Sequence, residues 1–171
     1  SAGYPSERSG IPLFVRLGRI PGVGEAFGAL ITKGRIRDSL ESAYFEDAKV
    51  TDRTVDMYYY PMKTPGAMHA VLARMRSHET RTKRWHDQIP SLKVPTLIVW
   101  GDKDTWIPPE DAHRFHRDIS GSKLVIMPDC GHLPQEEYPQ EFAAHVADFL
   151  QDSQVNMTQN VAPRKRNTLT F

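Results

Sequence analysis

The sequence has a single cysteine, Cys130, among 171 residues. That excludes an intrachain disulfide framework and a cysteine-based zinc site. It has no excess of charge of either sign: 22 Lys and Arg oppose 21 Asp and Glu, for a net charge of +1. A balance of that kind gives no general attraction to nucleic acid or to an anionic membrane. It also lacks any apolar run near the roughly 20 residues of a membrane-spanning helix. No signal-peptide pattern opens the chain. The expected compartment is therefore the cytoplasm, with the native amino terminus not visible from Ser1. What is present, 39% hydrophobic and 25% charged residues, is the composition of one globular domain with a real core.

The most informative stretch is Val94–Pro108. Pro95 can open a strand, where its missing N–H does little harm. Leu97, Ile98, Val99 and Trp100 are apolar without alternation, the pattern of a central parallel strand covered on both faces. Gly101 breaks the run, and Asp102 and Asp104 follow at the carboxyl end, where open α/β sheets collect their ligands. Pro108-Pro109 then starts a helix reaching about Ile119, with Glu110 and Asp111 in the first turn, where the dipole favours them. Ser120-Gly121 stops it, and Lys123–Met127 forms a second short apolar strand. A strand, crossover helix and strand over Thr96–Met127 imply parallel pairing and a right-handed crossover. Pro128–Pro134 is a tight loop at the second strand's carboxyl end. Pro139–Leu150 closes with a helix whose inward stripe is Phe142, Val146, Phe149 and Leu150. Residues 151–171 lose periodicity and are expected to be a disordered tail. Its Arg164-Lys165-Arg166 is too short a run to supply much nucleic-acid binding.

Upstream of Val94 the chain reads differently. Residues 1–10 are loop-like, and from Ile11 to about Arg84 the periodicity is helical with no convincing strand. Short helices are expected at Pro12–Leu17 and Gly24–Ile31, and a better one at Ile36–Phe45. Thr51 is the N-cap of a helix running through Tyr60 and ended by Pro61. Thr64 caps another, with Pro65 at its first position. The segment is rich in aromatics and methionines, among them Tyr44, Phe45, Met57, Tyr58, Tyr60 and Met68. Most are expected in a helical core, with some lining an apolar pocket. The basic run Arg74–Arg84 reads as a solvated face.

Two adjacent parallel strands set their carboxyl ends side by side. Asp104 follows the first and His132 the second. A carboxylate and an imidazole thereby come within hydrogen-bond reach across the chain. An aspartate that accepts from one ring nitrogen fixes the tautomer and leaves the other nitrogen as a base.

Gly101-Asp102-Lys103-Asp104 after an apolar strand, then Gly131-His132 after the next, resembles the α/β-hydrolase superfamily. The resemblance implies an α/β fold, here its C-terminal part: the last two parallel strands with flanking helices, preceded by an all-helical cap. The implied division is a loop over 1–10, a cap over 11–90, the strand–helix–strand–helix portion of the core over 91–150, and the tail. Ser1-Ala2-Gly3 resembles the end of the Asp-Ser-Ala-Gly segment that precedes such caps. By the same resemblance Asp104 would be the triad acid and His132 the base, and no cofactor or metal would be needed. The family's nucleophile sits on a Gly-x-Ser-x-Gly elbow ahead of the acid and the histidine. This sequence contains no such elbow: Ser6 lacks the flanking glycines, and Ser120-Gly121-Ser122 follows the acid. The expectation is therefore a fragment, inactive alone, whose missing amino-terminal half supplies the nucleophile. The expected substrate is a small, largely apolar ester or related compound, and no nucleic-acid or membrane partner is expected. An aspartate nucleophile would turn the same pair to epoxide or haloalkane hydrolysis, and carbon–carbon cleavage of a diketone also lies within the family. The rival reading is a non-catalytic, hydrolase-like binding or scaffold module.

Other residues carry smaller claims. Trp106 is a candidate substrate-binding residue under the cap, or else packs on the crossover helix. Cys130 beside Gly131-His132 suggests a Cys–His pair, but adjacent loop residues usually point apart. His78, His86, His113, His116 and His145 have no evident ligand set around them, although His113 and His116 share a helix at spacing three.

Overall fold

The computed structural model describes residues 31–81 and 86–160. The loop expected at 1–10 and the helices expected upstream of Ile31 lie outside those residues.

The described chain begins with three helices. Helix α1 spans Lys33–Ala43, with the Thr32 hydroxyl accepting the Arg35 N–H at its start. Its Ile36, Leu40 and Ala43 recur at helical spacing and turn inward. At Tyr44 the backbone becomes extended, although the Tyr44 N–H still reaches the Leu40 carbonyl. A 3-10 turn at Asp47–Lys49 leads to α2, Asp52–Met62, where Thr51 is the N-cap and accepts from the Thr54 N–H at 3.1 Å. Pro61 does not end α2 as expected. It sits in the last turn, where a proline forfeits one bond, and the helix runs on to Met62. Helix α3, Ala67–Arg81, starts later than expected. Gly66 adopts φ 83°, a left-handed backbone that no helix can pass through, so Thr64-Pro65-Gly66 forms a turn instead.

Leu40, Ala43, Tyr44, Val50 and Val55 make one core, with Tyr58 and Leu133 packed against it. Leu133 is the residue after His132, so the helical part and the second part of the chain share this cluster. The aromatic wealth of the segment is only partly core: Phe45, Met57 and Tyr60 are exposed.

Strands β1, Leu97–Gly101, and β2, Lys123–Met127, are parallel, with Leu97 opposite Lys123 and Gly101 opposite Met127. Helix α4, Glu110–Asp118, connects them. Ile98, Trp100, Leu124 and Ile126 share one face of the sheet by the alternation of side chains. They meet Ala112, Phe115 and Ile119, along with Ile89 of the 3-10 turn His86–Ser91. Burial on both faces, expected from the apolar runs, is not reached: Val99, Trp100, Leu124 and Val125 are only half-buried. No second described strand lies along the other edge of β1.

A short helix, α5 (Pro134–Glu137), follows His132 where only a loop was expected, with Pro134 at its favoured first position. Helix α6 covers Pro139–Asn160. It continues well past Leu150, so residues 151–160 are helix and not part of a disordered tail. Leu150 is also not part of the inward stripe. It lies one residue, about 100° of rotation, beyond Phe149 and is 54% exposed.

Candidate active site

The site begins where β1 stops. The parallel ladder continues past both strand ends: the Asp102 N–H donates to Met127 O at 3.0 Å and the Lys103 N–H to Cys130 O at 2.9 Å. The two loops are thus laced together. Gly101 makes this close approach possible. A Cβ there would lie 2.1 Å from the carbonyl oxygens of both Cys130 and Gly131, backbone atoms with no room to yield.

Asp104 is buried at the end of this lacing. Its Oδ1 accepts the N–H groups of Trp106 and Ile107, each at 2.9 Å, which is how a short acidic side chain organises a turn. Its Oδ2 lies 2.8 Å from His132 Nδ1. The two side chains are 3% and 8% exposed, so the contact is shielded from water. A carboxylate facing Nδ1 favours the tautomer with the proton on Nδ1, which makes Nε2 the basic nitrogen.

The base loop is shaped from the other side. Asp129 takes a left-handed backbone at φ 49°, and Tyr138 donates its hydroxyl to Asp129 O at 2.9 Å. The His132 N–H donates to Ala43 O, at the end of α1, at 2.7 Å. Gly131 is pressed so closely on α1 that a Cβ would lie 2.3 Å from the same oxygen. The α1 end also meets the acid loop: Thr105 Oγ1 donates to Ser42 O at 3.0 Å, and Trp106 Nε1 to Ser42 Oγ at 3.2 Å.

Beside the pair is a cavity of about 280 Å³, walled by Val99, Trp100, Leu133 and Gln135, with Asp104 and His132 on its surface. The wall carries polar and apolar surface in comparable amounts, so it offers a small molecule both apolar contact and convergent polar groups. Trp106 lies against the base. Its ring centroid is 5.0 Å from that of His132, its N–H is held by Ser42, and half of the residue is exposed.

Cys130 has none of the surroundings of a nucleophile. It is fully buried, and burial, followed by the nearby charge of Glu137, pushes its thiol up to about 12. A reactive thiol needs the opposite shift. Of the candidate histidines, His113 is exposed, His116 Nδ1 meets Ser122 Oγ at 2.9 Å, and His145 lies 3.8 Å from Glu141. Among the described residues no three His, Cys, Asp or Glu side chains gather as metal ligands do. The same residues contain no helix long and apolar enough to cross a membrane.

Sequence reasoning singles out Gly101, Asp104 and His132 but misses Ser42 and Glu137. Glu137 accepts the N–H of Gly131 at 2.7 Å and that of Phe45 at 2.8 Å. The second of these links residues 92 positions apart. No local pattern announces such a contact.

The chain is similar to known proteins. A family model described as the alpha/beta hydrolase family matches residues 4–145. The chain is 26% identical over 120 residues to the uncharacterized hydrolase YugF of Bacillus subtilis, covering 70% of this chain and 43% of that protein. It is 39% identical over 79 residues to a 2-hydroxy-6-oxononadienedioate/2-hydroxy-6-oxononatrienedioate hydrolase of Klebsiella pneumoniae, covering 44% of this chain and 27% of that protein. Among solved structures it is similar to a serine hydrolase involved in carbazole degradation, the CarC enzyme, with a TM-score of 0.60 and 27% identity over 70% of this chain and 47% of that one. The chain spans less than half the length of each of these relatives. With its family model covering most of the sequence, the chain belongs to the alpha/beta hydrolase family.

Proposed function

We propose that this chain carries the acid and the base of a hydrolase whose nucleophile lies on a segment outside these 171 residues. The observation that carries the reading is the shielded 2.8 Å contact between His132 Nδ1 and Asp104 Oδ2. Two features support the second half of the proposal. The sequence has no Gly-x-Ser-x-Gly elbow, and β1 has an edge that no described strand occupies, in a sheet of two strands. So small a sheet is marginal without neighbours.

In this reading His132 Nε2 takes the proton of the nucleophile as it attacks the substrate. The covalent intermediate forms, and His132 returns the proton to the departing group. It then deprotonates the water that releases the acid product. Asp104 stays ionised throughout, holds the ring orientation and stabilises the imidazolium. Val99, Trp100 and Leu133 on the cavity wall give apolar contact to a small, largely apolar ester or a related compound, with Trp106 as a candidate contact beside the base. An aspartate nucleophile on the same elbow would direct the pair to epoxides or haloalkanes. The Klebsiella relative, named for a 2-hydroxy-6-oxo dienoic substrate, adds carbon–carbon hydrolysis to the substrates worth assaying.

The experiment reads the gene upstream of Ser1. A nucleophile elbow within about 120–150 further residues, the span of an ordinary domain half of this kind, supports the enzyme. A start codon at Ser1 with no partner gene sinks it and leaves a non-catalytic module. In parallel, residues 1–171 alone are expected to resist labelling by a serine-directed phosphonate. Stoichiometric labelling there would reveal a nucleophile within this chain.

A further inference from the structure

The last two residues of α1, Ser42 and Ala43, accept bonds from both catalytic loops. Thr105 and Trp106 donate to Ser42, and the His132 N–H donates to Ala43 O. Glu137 completes the set in a different way. It is the first residue after its own loop that turns back, and it is 5% exposed. One carboxylate oxygen accepts the Gly131 N–H at 2.7 Å, and the other accepts the Phe45 N–H at 2.8 Å. A single buried carboxylate therefore joins the residue before His132 to the residue after the α1 end. Both bonds are charge-assisted, the stronger kind. Both also satisfy backbone donors that would be costly to leave unpaired.

We propose that Glu137 is a positioning residue for the acid–base pair. Its carboxylate clamps the histidine loop to the end of α1 and so holds the His132 ring on Asp104. A carboxyl group matches the place, with one oxygen facing each N–H donor. Two oxygens are needed for two N–H donors, and a Gln side chain would turn an NH2 group toward one of them. An Asp is one methylene shorter and reaches one donor but not both. Glu136, the neighbouring residue, has another task. Its oxygens accept the hydroxyls of Tyr44 at 2.8 Å and Tyr58 at 2.5 Å. It is thus a matched control: same charge, adjacent position, and a carboxylate engaged by Tyr44 and Tyr58 instead of by the Gly131 N–H.

The proposal rests on the reading of His132 as the base, but its primary test does not depend on turnover. In the intact protein the Nδ1 proton of His132, held by Asp104, should give a far-downfield proton resonance that is lost in His132→Gln. Glu137→Gln is expected to keep the helical circular dichroism of the parent. It should speed exchange of that proton with water by about tenfold, the worth of one lost hydrogen bond. Glu137→Asp should lie between, and Glu136→Gln should match the parent. Where Glu137→Gln does not fold, Glu137→Asp decides alone. An unchanged resonance and exchange rate in a folded Glu137 variant, or an equal change in Glu136→Gln, overturns the proposal. In turnover, Glu137→Gln should lower kcat by up to about a hundredfold with KM unchanged, as a misplaced catalytic group does. If instead His132→Gln leaves turnover intact, the reading of the base fails, while the proton resonance still judges Glu137.

Discussion

At the scale of single residues, the proposed chemistry rests on the contacts made by the two oxygens of Asp104. One oxygen is spent on the Trp106 and Ile107 N–H groups, so the other can point only at His132. Asp104→Asn keeps the size but puts an amide where a charge is needed. It should lower kcat by about 10³- to 10⁴-fold, since the wrong tautomer of the histidine is then favoured. Gly101 is equally constrained, by space. Gly101→Ala should cost about 3 kcal/mol in urea unfolding, because the methyl must push two backbone carbonyls apart. Cys130 gives a prediction with a sign. Its folded-state value of about 12 exceeds its ordinary value of 9.0. The folded protein therefore binds the thiol proton more tightly than the unfolded chain does. That stability is fully present below pH 9 and is lost as pH rises toward 12. Between about pH 8 and 11 the urea midpoint of the parent should fall more than that of Cys130→Ala. Parallel slopes would mean that the thiol is not shielded. Native Cys130 should also resist alkylation by iodoacetamide at neutral pH until urea unfolds the protein.

At the scale of elements, what could be read from sequence was what local chemistry determines. Thr51 was legible as an N-cap because its hydroxyl acts within one turn, and Thr51→Ala should cost about 1 kcal/mol in thermal unfolding. Strand β2 and the run of α4 were legible from apolar spacing and from the Ser120-Gly121 stop. The starts and ends that were misread share one cause: a contact or backbone state that spacing does not encode. Gly66 at φ 83° delays α3. Helix α5 depends on Pro134 and on the Glu137 clamp to a residue far upstream. Asp104 and His132 were legible for a topological reason. Two parallel strands bring their carboxyl ends together whatever the intervening sequence. The lacing of both loops onto Ser42–Phe45 was not, because it joins helix and loop over long sequence separations.

At the scale of the molecule, the half-buried sheet and the edge of β1 that no described strand occupies bear on the same question as the absent elbow motif. Apolar strands such as Leu97–Trp100 are normally covered on both faces, and cover would remove roughly 25 cal/mol of unfavourable exposure per Å² of apolar surface. A segment that completes the sheet would at once stabilise this chain and deliver a nucleophile near His132. If the proposed amino-terminal segment exists, mixing the chain with it should therefore raise the melting temperature and produce activity in the same titration. Either effect without the other would separate folding from catalysis. The most direct measurement is kcat/KM on a small p-nitrophenyl ester for the intact hydrolase and its His132→Ala variant, with circular dichroism to show that both are folded. A fall of about 10³-fold or more is expected when the general base is removed. Activity within about tenfold of the parent, below any general-base contribution, would contradict the assignment of His132 and Asp104 as the working pair.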